Sequence, residues 1–123
     1  MIHAPNPLQD LIDANPILQN VECGVYIGDG WLSIIEKFCK VVERHIHKDD
    51  PPVVIGQIKE KFGGLRVYVD VGDEYIRGAA TMAEMMSWQI CEDCGETGKV
   101  RAGGWIRTLC DVCEIRQKKL RDV

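Results

Sequence analysis

The stretch Cys91–Cys113, CEDCGETGKVRAGGWIRTLCDVC, carries four of the six cysteines of the chain, two at each end. Two residues separate the members of each pair, and fifteen lie between the pairs. This spacing fits a tetrahedral four-cysteine zinc site, because a two-residue gap lets a tight knuckle aim both sulfurs at one ion. Gly95 relieves the turn after Cys94. The intervening GKVRAGGWIRTL, residues 98–109, has the length and turn glycines of a β-hairpin. Such a hairpin returns Cys110 and Cys113 to Cys91 and Cys94. The layout is that of a zinc ribbon, with one structural Zn2+ on these four cysteines. An iron centre, a redox pair of disulfides and free buried thiols are the alternatives. Four protein sulfurs leave no open position for a metal-bound water, so the expected ion is a scaffold and not a Lewis acid. A hairpin this small has little core, and the ion is expected to supply much of its folding free energy.

Length and composition set the frame around that stretch. The 123 residues are 46% apolar and 28% charged, which fits one soluble globular domain and is too apolar for disorder. No run approaches the ~18 apolar residues of a membrane-spanning helix. The opening MIHAPNPLQDLIDANP has no basic start and no long apolar run, so no secretory signal is expected. A reducing cytoplasm is the expected location, and there paired cysteines more often hold metal than form disulfides. The formal net charge of −4 is unevenly spread. Residues 1–58 hold four Lys/Arg against eight Asp/Glu, whereas residues 99–121 hold seven against two. The acidic total argues against a dedicated nucleic-acid binder, while the basic end allows local attraction.

Upstream of the cysteines the pattern predicts an α+β body over residues 1–90. A short helix over Leu8–Ala14 takes Asn6 as its cap and Pro7 as its first position, and Pro16 stops it. Trp31, Ile34, Ile35, Phe38, Val41, Val42 and Ile46 recur at helical spacing and predict an amphipathic helix from about Trp31 to His47. Pro51 and Pro52 end it. VVIGQIKEKFGGLRVYVDVG, residues 53–72, is the clearest strand signal, with Gly63-Gly64 read as the turn of a hairpin. That turn sets Lys61 opposite Arg66. It puts Val54, Ile58, Phe62, Leu65, Val67, Val69 and Val71 on one face, with Glu60 as the misfit. A third strand near Val25–Ile27 extends this small antiparallel sheet. A second helix over Asp73–Ile90, with its stripe of Ile76, Ala79, Ala80, Ala83, Met86 and Ile90, leads straight into Cys91. Residues 91–123 then form the ribbon and a short basic C-terminal helix, packed on the body.

Two surfaces are candidates for binding. Lys59, Lys61, Arg66 and Tyr68 line the polar face of the first hairpin, where an unfavourable like-charge pair suits an anionic guest. The competing explanation is a solvated edge balanced by Glu60, Asp70 and Glu74. On the ribbon, Arg101, Trp105 and Arg107 suit base stacking and phosphate contact. Against that, Trp105 packing toward the helix that ends near Trp88, with Arg107 holding a carboxylate, explains the same residues. Cys39 reads as a buried small hydrophobe. His45 and His47, two residues apart, face different ways and suit the end of a helix. No phosphate loop, nucleophile triad or deaminase-type His-x-Glu motif is present, so no catalytic residue is assigned.

CGVYIGDGWLSIIEKFCKVV, IKEKFGGLRVYVD and CEDCG…GGWIRTLCDVC, in this order over residues 23–113, resemble a group of small uncharacterised zinc-ribbon proteins of tailed phages and prophages. The resemblance implies a phage accessory protein made in the host cytoplasm, and it carries no activity onto any residue. The expected function is therefore a non-catalytic protein that binds a host or phage protein complex, as an inhibitor of host defence or a modulator of host machinery. Nucleic-acid binding through Arg101, Trp105, Arg107 and the basic tail is the alternative.

Overall fold

A computed structural model describes residues 5–121; residues 1–4 and 122–123, the outer ends of the two predicted portions, lie outside the described residues. The architecture is α+β, with a three-stranded sheet, two packed helices and a C-terminal four-cysteine ribbon. Among the described residues no helix is long and apolar enough to cross a membrane.

Helix α1 spans Pro7–Ala14, and the Asn6 side chain accepts a hydrogen bond from Gln9 N–H at 3.1 Å. Pro16 turns the chain into one tight helical turn, Pro16–Leu18, which buries Leu18. Strand β1, Val25–Tyr26, follows. A second tight turn, Asp29–Trp31, then feeds helix α2, Leu32–His45. The periodicity over-extended α2 at both ends. Trp31 belongs to the tight turn, and Ile46 is already extended, leaving His47 outside the helix.

Strands β2, Val54–Lys61, and β3, Gly64–Val71, form the antiparallel hairpin. Its turn is Phe62-Gly63 and not Gly63-Gly64, since Lys61 pairs with Gly64 and Glu60 with Leu65. Both turn residues have positive φ, 52° and 83°, the signature of a mirror-image two-residue turn. Moving the turn back one residue shifts each cross-strand partner by two, so the faces survive while the pairs change. The like-charge pair is thus Lys59 with Arg66, and Lys61 faces a glycine. Two constraints select this turn. A Cβ on Gly64 would lie 2.6 Å from Trp88 Nε1, so position 64 must be bare inside the strand. The Glu60 carboxylate accepts from Gly63 N–H at 2.7 Å, which gives the misfit on the apolar face a partner.

The predicted apolar face holds at its centre and fails at its ends. Ile58 and Leu65 are buried, whereas Val54, Phe62 and Val71 are exposed. Ile55 is buried in place of Val54, because the register shifts between Val54 and Gln57 and turns the strand over. Strand β1 joins β2 with Val25 beside Ile58, but in parallel, so the sheet is mixed and not wholly antiparallel.

Helix α3 spans Glu74–Ser87, shorter at both ends than the sequence pattern implied. Asp73 is its cap and accepts from Ile76 N–H at 3.0 Å. His45 Nε2, at the end of α2, lies 2.6 Å from the Asp73 carboxylate, and its ring stacks on Tyr75 at 3.9 Å. The end of α2 therefore meets the start of α3, and the two helices run antiparallel. Trp31, Ile35, Phe38 and Val42 of the α2 segment close the core over Ile58, Leu65, Ile76 and Ala80.

Candidate metal centre

Helix α3 ends at Ser87, and the turn that follows delivers Cys91 with no intervening linker. The first knuckle closes through Gly95 N–H to Cys91 O at 2.9 Å and Cys91 N–H to Glu96 O at 2.7 Å. Strands β4, Lys99–Arg101, and β5, Arg107–Leu109, form the short hairpin, with Arg101 opposite Arg107. The second knuckle sits at the start of helix α4, Asp111–Arg121. Glu114 N–H reaches Cys110 O at 2.9 Å, and Cys113 N–H reaches the Cys110 sulfur at 3.4 Å.

The sulfurs of Cys91, Cys94, Cys110 and Cys113 all lie within 4.8 Å of one another, close enough to hold one metal ion. Cys94 and Cys110 are 3.7 Å apart, sulfur to sulfur. Tetrahedral zinc with Zn–S bonds of about 2.3 Å sets its sulfurs about 3.8 Å apart, so the spacing fits that ion and is far too long for a disulfide. All six cysteines are free. Burial acts to raise the Cys91 thiol, but backbone N–H groups of Cys110, Cys94 and Asp93 outweigh it and bring it down to about 7. Burial, with the crowding of the other sulfurs, pushes Cys113 up. Thiolates this close repel one another, and a divalent cation between them offsets the repulsion.

The ribbon is fixed to the rest of the chain by contacts that the cysteine spacing does not reveal. Gly30 N–H donates to Glu92 O at 2.7 Å, and Trp31 Nε1 donates to Ile90 O at 2.8 Å. A Cβ on Gly30 would lie 2.1 Å from Cys91 O, so the GDGW segment abuts the first knuckle as bare backbone. Thr108, fully buried, donates its hydroxyl to Gly63 O at 2.6 Å, tying β5 to the tip of the first hairpin. Glu92 is buried, and burial raises its carboxyl above the usual range, moderated by Gly28 N–H and Arg107. Neither motif nor spacing marks the four bracing residues Gly30, Trp31, Glu92 and Thr108 as part of the site. The one signal of this contact in the sequence is the pair of glycines flanking Asp29 in GDG.

The binding candidates do not gather into one site. Arg101 bonds Leu109 O and the carboxylates of Asp111 and Glu114. Arg107 holds Glu92 and Asp93 at 3.3 and 3.0 Å. Both guanidiniums thus brace the ribbon. Trp105 stands outside β5 and is 66% exposed, so it does not pack toward Trp88, which instead covers Gly64. On the first hairpin, Arg66 pairs with Glu84 at 3.5 Å, while Lys59 lies over the Tyr68 ring and Lys61 over the Phe62 ring, each at 5.9 Å. Compared with known proteins, the chain matches no protein-family model, no curated protein and no solved structure.

Proposed function

We propose that the protein is a non-catalytic binding protein, in which one structural zinc ion on Cys91, Cys94, Cys110 and Cys113 rigidifies a ribbon that docks on a protein complex. The observation that carries this reading is the apolar display on the ribbon and its helix. Trp105, Val112 and Leu120 are exposed by 66, 65 and 66%, and Ile115 by 55%. They stand beside Arg116, Lys118, Lys119 and Arg121, in a fragment whose own core is one leucine and the cysteines. Exposed aromatic and aliphatic side chains among basic ones suit an acidic protein surface with apolar pockets. Four sulfurs saturate a tetrahedral ion and leave it no site for substrate. The zinc would hold β4, β5 and α4 in register and take no part in a reaction. The proposal places this action in a host cytoplasm, on a complex of the host or of a phage, as the tailed-phage resemblance implies.

The nucleic-acid alternative rests on the same Trp105, which lines a concavity with Lys118 and Arg121. It is weakened because Arg101 and Arg107 are committed to carboxylates of the chain itself. Affinity capture with the zinc-loaded chain, beside a Trp105→Ala/Ile115→Ser variant, separates the readings. A stoichiometric protein partner held by the first and lost by the second, in the presence of nuclease, supports the proposal. Retention that nuclease abolishes and salt steeply weakens sinks it in favour of nucleic acid. Metal analysis of the same sample gives one zinc per chain if the ligand set is right.

A further inference from the structure

Alternation along the three-stranded sheet sends one set of side chains to the core and the other to the opposite face. Val25, Ile58 and Leu65 belong to the core, so Tyr26, Lys59, Arg66 and Tyr68 share the outer face. The ladder sets Tyr26 beside Lys59 and Lys59 beside Arg66, and Tyr68 is the next outward residue of β3. Tyr26 is 66% and Tyr68 39% exposed. The Tyr26 ring rests against Gly24, where a Cβ would lie 2.7 Å from it, so bare backbone seats the ring. Lys59 Nζ stands 5.9 Å from the centre of the Tyr68 ring, and at the hairpin tip Lys61 Nζ stands 5.9 Å from that of Phe62. Basic groups are thus interleaved with exposed aromatic rings.

The carboxylates nearest in sequence do not cancel the charge of this face. Glu60 lies on the core side and accepts from Gly63 N–H, and Glu74 borders the space between α2 and α3. Asp70 shares the face but lies over Gly56, at the end away from the hairpin tip. Glu84 meets Arg66 at 3.5 Å, whereas Lys59 and Lys61 have no ion-pair partner among the described residues. Negative charge complements such a face, and exposed rings beside it select flat groups. Two strand spacings across and two residues along separate Tyr26 from Tyr68 by about 12 Å of backbone, with Lys59 on the central strand between them. A splayed single strand of nucleic acid presents the same order of base, phosphate and base. Its bases stack on aromatic side chains while basic ones follow the phosphates. We propose that the outer face of the sheet binds single-stranded nucleic acid, with bases on Tyr26 and Tyr68 and a phosphate between them on Lys59. This site lies on the sheet and not on the ribbon, and goes beyond the docking role of Trp105 and Ile115.

Fluorescence anisotropy of the full zinc-loaded chain with a labelled oligothymidylate and a labelled oligouridylate, each of about twelve nucleotides, tests this. Saturable binding to at least one of them is expected, weakening as salt rises. Tyr26→Ala and Tyr68→Ala each weaken it about tenfold or more, while Tyr26→Phe and Tyr68→Phe retain it. Lys59→Gln weakens it and lowers the salt slope. All three side chains reach solvent, and unchanged melting by circular dichroism confirms folding. No binding to either oligonucleotide overturns the proposal. Binding that survives loss of both tyrosine rings overturns it too, since the face is then a plain anion site that an acidic peptide fills equally well. So does binding lost in the Trp105→Ala/Ile115→Ser variant with both tyrosines intact, which places the nucleic acid on the ribbon. Capture of a protein partner in the presence of nuclease is read separately, so the docking role stands or falls on its own.

Discussion

Ser87 is fully buried and its hydroxyl works in two directions. It accepts from Leu65 N–H at 2.9 Å and donates to Glu84 O, joining the end of α3 to the start of β3. Ser87→Ala leaves a buried amide without a partner, which costs about 1–3 kcal/mol. Urea denaturation of the variant, with an unchanged slope, is expected to show that loss. Asp73 works at the surface. Its bond to His45, and secondly the Ile76 N–H it accepts, hold its carboxyl below the usual range. A depressed carboxylate contributes stability above its unfolded pKa, and this fades as pH falls through the lower folded value. Asp73→Asn therefore flattens the acid limb of the stability profile below about pH 4, measured by thermal melts at a series of pH values. An unaltered limb refutes that assignment.

Among the elements, the first hairpin shows most clearly how neighbours override a local signal. Its turn falls on Phe62-Gly63 although Gly-Gly was available one residue later. Phe62 has φ 52° and is 68% exposed, so it bears left-handed strain without burying its ring. Asparagine enters that region at lower cost. Phe62→Asn is expected to stabilise the fold by about 1 kcal/mol, read as a higher melting temperature. A drop instead means that the Phe62 ring has packing that outweighs the strain. The register shift in β2 is a second such case. Alternation along VVIGQIK favours Val54 on the inner face, yet the irregularity at Ile55–Gln57 brings Ile55 inward.

Across the whole molecule, two apolar clusters of very different size are present. The larger joins α2, α3 and the sheet; the smaller is Leu109 with Cys91 and Cys113, flanked by Cys110. Burying one leucine side chain contributes about 1.5–3 kcal/mol, whereas ordering five backbone residues already costs about 5–10 kcal/mol. Its bonds to Gly30, Trp31 and Gly63 supply part of the remainder, and the metal ion that the proposed function assigns to the four sulfurs would supply the rest. Chelation of the metal is expected to remove amide-exchange protection across residues 91–113 first, and to lower the melting temperature of the remaining body. Protection and melting that both survive chelation would show the cysteine cluster to be dispensable.

Elements whose cause is local are legible in the residues alone. Cysteine spacing defined the ribbon and its four sulfurs, Asn6 and Pro7 the start of α1, and the spacing of Ile34, Ile35, Phe38 and Val42 the buried side of α2. Period-two alternation chose the faces of the hairpin, because a two-residue change of partner leaves them intact. The turn, by contrast, is set by long-range packing, through Trp88 over Gly64 and Glu60 on Gly63. Such packing also decided the parallel docking of β1 and the fate of the arginines. Arg101 and Arg107 are indistinguishable from free cations in the sequence, and become braces once folding brings Asp111, Glu114, Glu92 and Asp93 to them. Spacing along a chain sets which side chains share a face, but a charge is free or spent according to neighbours that only folding supplies.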